Sequence, residues 1–196
     1  MMNMSNKNIP CWATDIKNIL FSTGFGDVWL NQGVQNDSLF LTNFLQRIVD
    51  INNQIWKTEI KLMNKISLYN EIKTDNEFEF HVTHIQSNKL RSLFSRFRCG
   101  CLNLQIHTGR HENIPRENRL CTFCNTHKIE DDFHFLLECP CFSEIRSLYI
   151  PTYFSIYPTK ERFHFMLRTK NKYLLLNICL FLEKAWEFRS EIDSYI

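Results

Sequence analysis

At 196 residues, with 44% hydrophobic and 22% charged side chains and only five Gly and five Pro, the chain has the composition of a folded globular protein. That length suits one ordinary domain or two small ones, each with its own core. A net charge of +2 is unremarkable by itself, so what it says about partners lies in how the charge is distributed.

The first ten residues, MMNMSNKNIP, are polar and aperiodic and are expected to be disordered. They contain no apolar core of a secretory signal. The most hydrophobic run, YLLLNICLFL at 173–182, is interrupted by Asn177 and falls short of the roughly 20 residues of a bilayer span. The expectation is a soluble intracellular protein, nuclear or cytoplasmic, with no membrane partner. In a reducing compartment clustered cysteines are more often metal ligands than disulfides.

Residues 12–21 read as a first helix, broken by Gly24 and Gly26. Asp37 or Ser38 can cap a second, in which Leu39, Phe40, Phe44, Leu45, Ile48 and Val49 recur at helical spacing. After a break near Asn52 and Asn53 the pattern resumes through Ile55, Trp56, Ile60, Met63, Ile66 and Tyr69. Trp12, Trp29 and Trp56 are expected to anchor the core. EFEFHV at 77–82 alternates with period two, as a short strand does, and so does LNLQI at 102–106. Between them, 89–98 places Leu90, Leu93, Phe94 and Phe97 in one helical sector. Lys89 and Arg96 lie along one border of that stripe, and Arg91 and Arg98 along the other. Gly109 and Pro115 make the approach to Cys121 a loop. Beyond Cys141 three helices are expected: one ended by Pro151, one capped by Thr159, and a long one over 172–192 burying Leu175, Ile178, Cys179, Leu182 and Trp186. The fold class is mainly α. A helical region over 11–84 is followed by a zinc-binding region over 85–196 with short strands and C-terminal helices; one continuous domain over 11–196 is the alternative.

Half of the eight cysteines fall between 121 and 141, in CTFCNTHKIEDDFHFLLECPC. Cys121 and Cys124 form a Cys-x2-Cys turn that can aim two thiolates at one ion. His134 and Cys139 supply two more donors, on a short helix opened by Asp131 and Asp132. On an ideal helix such an i, i+5 pair is about 140° apart, so the helix must loosen before Cys139, where Pro140 also ends it. Three thiolates and an imidazole make a closed, structural Zn²⁺ site with no open position. Two rival sets remain: Cys141 in place of Cys139, or His107 and His111 joining Cys121 and Cys124. Cys99 and Cys101 chelate one ion poorly at Cys-x-Cys spacing. His81, His84 and His127 read as surface or core, and Cys11 and Cys179 as core.

Charge is unevenly spread around this cluster. Over 85–120 seven cations, Lys89, Arg91, Arg96, Arg98, Arg110, Arg116 and Arg119, face only two carboxylates, whereas 130–144 is purely acidic. A basic flank beside a Cys/His cluster suits a phosphate-rich partner, RNA or DNA.

WATDIKNIL, GFGDVW and NDSLFLTNFLQRIVDINNQIW, followed by LRSLFSRFRCGCLNLQIHTGRHENIPRENRLCTFCN and IEDDFHFLLECPCFSEIRSLYI, together resemble the C-terminal tail of animal non-long-terminal-repeat (LINE-type) retrotransposon polyproteins. The likeness is strongest over 119–140. It implies a Cys-Cys-His-Cys zinc motif at Cys121, Cys124, His134 and Cys139, with Arg98, Gly109, Arg110 and Arg119 at recurring basic and turn positions. No aromatic-x-Asp-Asp polymerase motif is present, because Asp131-Asp132 belongs to the zinc loop, and no endonuclease or ribonuclease H carboxylate set is recognisable. The resemblance therefore implies a detached, non-catalytic, nucleic-acid-binding tail with no small-molecule substrate. A protein-interaction domain with a purely structural zinc is the alternative.

Overall fold

The computed structural model describes residues 11–193, so the expectation of disorder at 1–10 lies outside the described residues. Among these residues the contacts gather into two compact units, the first ending at Ile60 and the second beginning at Lys61.

In the first unit, α1 (Trp12–Thr23) ends at Gly24, whose φ of 88° is left-handed and therefore suits glycine. The amide of Phe25 then closes back on the Leu20 carbonyl at 2.7 Å. α2 (Gly26–Asn31) follows, and α3 (Asp37–Leu62) runs 26 residues without a break at Asn52-Asn53. Asparagine costs a helix interior only a few tenths of a kcal/mol, too little to stop a long apolar pattern. The cap of α3 is Asn36, whose side-chain oxygen accepts from the Leu39 amide at 3.0 Å, rather than Asp37 or Ser38. Phe25 packs edge-on against Phe40 and Phe44, with ring centroids 5.5 and 5.6 Å away. The tryptophans are not core anchors here: Trp12 is 62% exposed, and Trp29 and Trp56 are half-buried.

The second unit holds a continuous core. Its axis is α11 (Lys172–Asp193), which buries Leu175, Ile178, Cys179, Phe181, Leu182 and Ala185. Around it stand α4 (Ser67–Ile72), α5 (Phe80–His84), α6 (Asn88–Arg98), α7 (Gln105–His111), α8 (Ser143–Tyr149), α9 (Thr152–Ser155) and α10 (Lys160–Leu167). Thr159 caps α10 as the sequence suggests, accepting from the Arg162 amide. Residues 61–84 belong with this unit, because Arg168 donates to the Ile72 carbonyl at 2.8 Å and Glu79 pairs with Arg98. The division therefore falls well before residue 85.

Mainly α is the correct class, but the two expected strands are absent among the described residues. Residues 80–84 form α5, and 105–111 form α7, including Gly109. The alternation at 102–106 does mark burial, since Leu102, Leu104 and Ile106 are all interior. What is missing is a ladder partner: the Ile106 amide goes to the Glu130 carbonyl and the Gln105 amide to the Glu130 side chain. Among the described residues the one β contact is an isolated antiparallel bridge between Leu120 and Ile129.

Candidate metal centre

The bridge at Leu120 and Ile129 closes the neck of a loop. The Cys121 amide donates to the Lys128 carbonyl at 2.8 Å, and the Glu130 amide to the Arg119 carbonyl at 2.9 Å. Cys121 and Cys124 sit above this neck. The opposing pair comes from residues 134–138, which form a π turn. The Cys139 amide reaches the His134 carbonyl at 2.7 Å, a bond spanning five residues. A turn one residue wider than α swings residue i+5 back over residue i, which removes the angular mismatch of an ideal helix. Asp131 starts this segment by accepting from the His134 amide at 2.8 Å. Arg146, itself buried, holds it by donating to the Leu136 and Cys139 carbonyls at 2.8 and 2.7 Å.

The result is a group of four donors, Cys121, Cys124, His134 and Cys139, whose ligand atoms all lie within 4.8 Å of one another. Cys121 Sγ is 3.9 Å from Cys139 Sγ, and Cys124 Sγ is 3.4 Å from His134 Nε2. This group could hold a metal ion. His134 Nδ1 is buried without a full hydrogen bond, and the Glu138 carboxylate stands 3.5 Å from it. Lys128 in turn pairs with Glu138 at 2.9 Å. A carboxylate behind the second imidazole nitrogen is the usual way to fix the orientation of a ligating histidine.

The protons reflect the crowding. Hydrogen bonding from Cys139 drives Cys121 far below the usual thiol range, and the same contact drives Cys139 far above it. Burial works against a charge on His134, but its contacts with Cys121 and Cys124 prevail and raise it to about 9. A lowered thiol beside a raised imidazole is the pairing from which a bound cation would displace protons.

The rival ligands lie elsewhere in the local structure. Cys141 donates to the Phe123 carbonyl. His107 Nε2 is 3.2 Å from both Asp132 oxygens.

The basic residues divide. Lys89 is held by Glu183 and Glu187 at 2.8 and 3.2 Å. Arg91 donates to the Ile85 carbonyl at 2.8 Å, and exposed Arg96 to the Cys101 carbonyl at 3.3 Å. Arg98, expected at a helix border facing outward, is 4% exposed. It pairs with Glu79, donates to His81 Nδ1 and lies over the Tyr69 and Phe94 rings, so it is withdrawn from any phosphate surface. Arg119 is likewise turned inward, donating to the Ile114 and Ile106 carbonyls at 2.9 and 3.0 Å. Arg110 and Arg116 line one recess beside Asp131, together with Lys160 and His164, which sequence reasoning missed. Also missed was the buried pair of Glu130 and Arg189, which ties the loop neck to α11, with Arg189 4.1 Å from the Phe123 ring. Neither partner stands out in the sequence, because the two are 59 residues apart.

Ser95 and His81 resemble a nucleophile–base pair, with Oγ and Nε2 2.8 Å apart, but the protons run the other way. Arg98 donates to Nδ1, so Nε2 carries the hydrogen and donates to Ser95, which donates to the Arg91 carbonyl. Among the described residues no helix is long and apolar enough to cross a membrane. No protein-family model, curated protein or solved structure matches the chain.

Proposed function

We propose that the chain is a non-catalytic nucleic-acid-binding module organised by one Zn²⁺ at Cys121, Cys124, His134 and Cys139. Tetrahedral zinc at its usual bond lengths would set sulfurs about 3.8 Å apart and sulfur and nitrogen about 3.6 Å apart. The separations of 3.9 and 3.4 Å suit that ion. Four protein donors leave no place for a reacting water, so the ion's part would be to hold the loop and the surface beside it.

The observation that carries nucleic-acid binding is the convergence of Arg110, Arg116 and Lys160 on one recess flanked by Asp131 of the metal loop. Arg116 and Lys160 make no ion pair among the described residues, which leaves their charge for a phosphate. The likeness to retrotransposon tails, whose setting is RNA and DNA, points the same way. Two measurements test this: zinc per chain in wild type and His134→Ala, and the salt dependence of oligonucleotide binding. Arg110→Ala with Arg116→Ala should flatten the salt slope by about 1.4 for a single strand. An unchanged slope removes this recess as the phosphate site.

A protein-interaction role is favoured by a different feature. No residue of α3 is buried, and Leu41, Leu45, Val49 and Ile55 are exposed along it. Exposed apolar surface on that scale marks an association site.

A further inference from the structure

Two recesses on the second unit share His164 in their linings. The one that holds Arg110, Arg116 and Lys160 has a volume of about 160 Å³. A wider one of about 660 Å³ is lined by Phe165, Arg168 and Lys170, and His164 belongs to both. Lys160 and His164 stand one turn apart on α10, and Arg168 follows at its C-terminal end, where it donates to the Ile72 and Glu71 carbonyls. Of the carboxylates lining these recesses, Glu71 stands 3.1 Å from His164 Nε2, Asp132 stands 3.2 Å from His107 Nε2, and Asp131 accepts from the His134 amide. Glu161 is the remaining carboxylate.

Exposed aromatic rings accompany these cations. Phe165 is 65% exposed, and its ring lies at only 22° to buried Phe154, with centroids 6.4 Å apart. A ring held from behind and open in front is a platform. Nearby, Arg162 lies 4.2 Å over the ring of Tyr153 and is fixed by bonds to the Tyr153 and Tyr157 carbonyls.

We infer that this α10 groove takes a single strand of nucleic acid, with Phe165 stacking on an unpaired base and Lys160 and Lys170 following the phosphates. A duplex hides its base faces, so only an unpaired strand can use the platform, while cations at intervals suit a regularly spaced polyanion. This rests on the nucleic-acid function proposed above and adds to it the strandedness of the partner and the element that reads it.

The test is fluorescence anisotropy with labelled oligo(dT), oligo(U) and a fully paired DNA duplex, using the full chain loaded with Zn²⁺. Phe165→Ala should weaken both single strands by about 5- to 100-fold and leave duplex binding unchanged, with Phe165→Tyr restoring affinity. Lys160→Ala with Lys170→Ala should lower the salt slope by about 1.4. The ring is solvent-facing, so circular dichroism should show the alanine variant folded. If Phe165→Ala binds single strands as wild type does while Arg110→Ala with Arg116→Ala weakens them, the groove is overturned and the broader function stands. If wild type binds none of the three probes, both fall. Equal competition by poly-glutamate would also overturn the groove, since a peptide brings charge without stacking bases.

Discussion

A side chain on residue 109 would occupy the space taken by Arg119: a Cβ built on Gly109 would meet Arg119 Cγ at 2.9 Å and Cδ at 3.1 Å. Glycine lets the arginine stem lie flat across α7, where its head reaches the carbonyls of Ile106 and Ile114. Gly109→Ala should therefore destabilise the protein by about 1–2 kcal/mol, although alanine is the better helix former by about 1 kcal/mol. Introduced into an Arg119→Ala background, the same change should become neutral or stabilising. Urea unfolding of the four proteins in this cycle checks the change of sign.

Zinc content should be one per chain and fall to none in His134→Ala. Glu138→Gln should keep the stoichiometry but lower metal affinity by about 10–100-fold, because the neutral amide supports the ligating imidazole less well. Competition against a chromophoric chelator measures both. Equal affinities for wild type and Glu138→Gln would remove the carboxylate from the support of the site.

The buried network around Arg98 predicts how stability depends on pH. Burial and the neighbouring Arg98 charge lower His81 from 6.5 to about 4. Between those values the unfolded chain binds a proton that the folded chain refuses, so acidification favours unfolding. The contribution, on the order of 3 kcal/mol, is complete above the unfolded value and is lost as pH falls through about 4. His81→Gln should be less stable at neutral pH yet flatter in its acid response, as denaturant midpoints at several pH values would reveal.

Glu130 and Arg189 should behave as a buried pair whose single loss is worse than its joint replacement. Arg189→Met leaves a carboxylate interior and uncompensated, at a cost of about 3–5 kcal/mol. Combining it with Glu130→Leu should recover part of that loss, read out as the unfolding midpoint of the zinc-loaded protein.

The Cys/His cluster was legible because its information is local: the spacing of Cys121, Cys124, His134 and Cys139 limits what a short loop can do. The expected loosening before Cys139 likewise followed from helix geometry alone, and it takes the form of a π turn. The helices at Asn88–Arg98 and Lys172–Asp193 were legible from periodicity. What escaped depends on partners that periodicity does not encode. Arg98 and Arg119 look like surface cations until Glu79 and the Ile106 carbonyl arrive from elsewhere in the chain. The alternation at 102–106 identified the buried side chains but could not supply a neighbouring strand, and without one the backbone turns into α7.

The π turn makes the Cys/His loop sensitive to length as well as to composition. Deleting one residue from 135–138 would leave every donor in place yet convert the five-residue spacing into an ordinary helical one. Cys139 would then continue an α-helix, while Arg146 would find the Leu136 and Cys139 carbonyls out of phase with its guanidinium. The wide turn acts as a fixed count between imidazole and thiolate, so this stretch should tolerate exchange of its side chains far better than a change in their number.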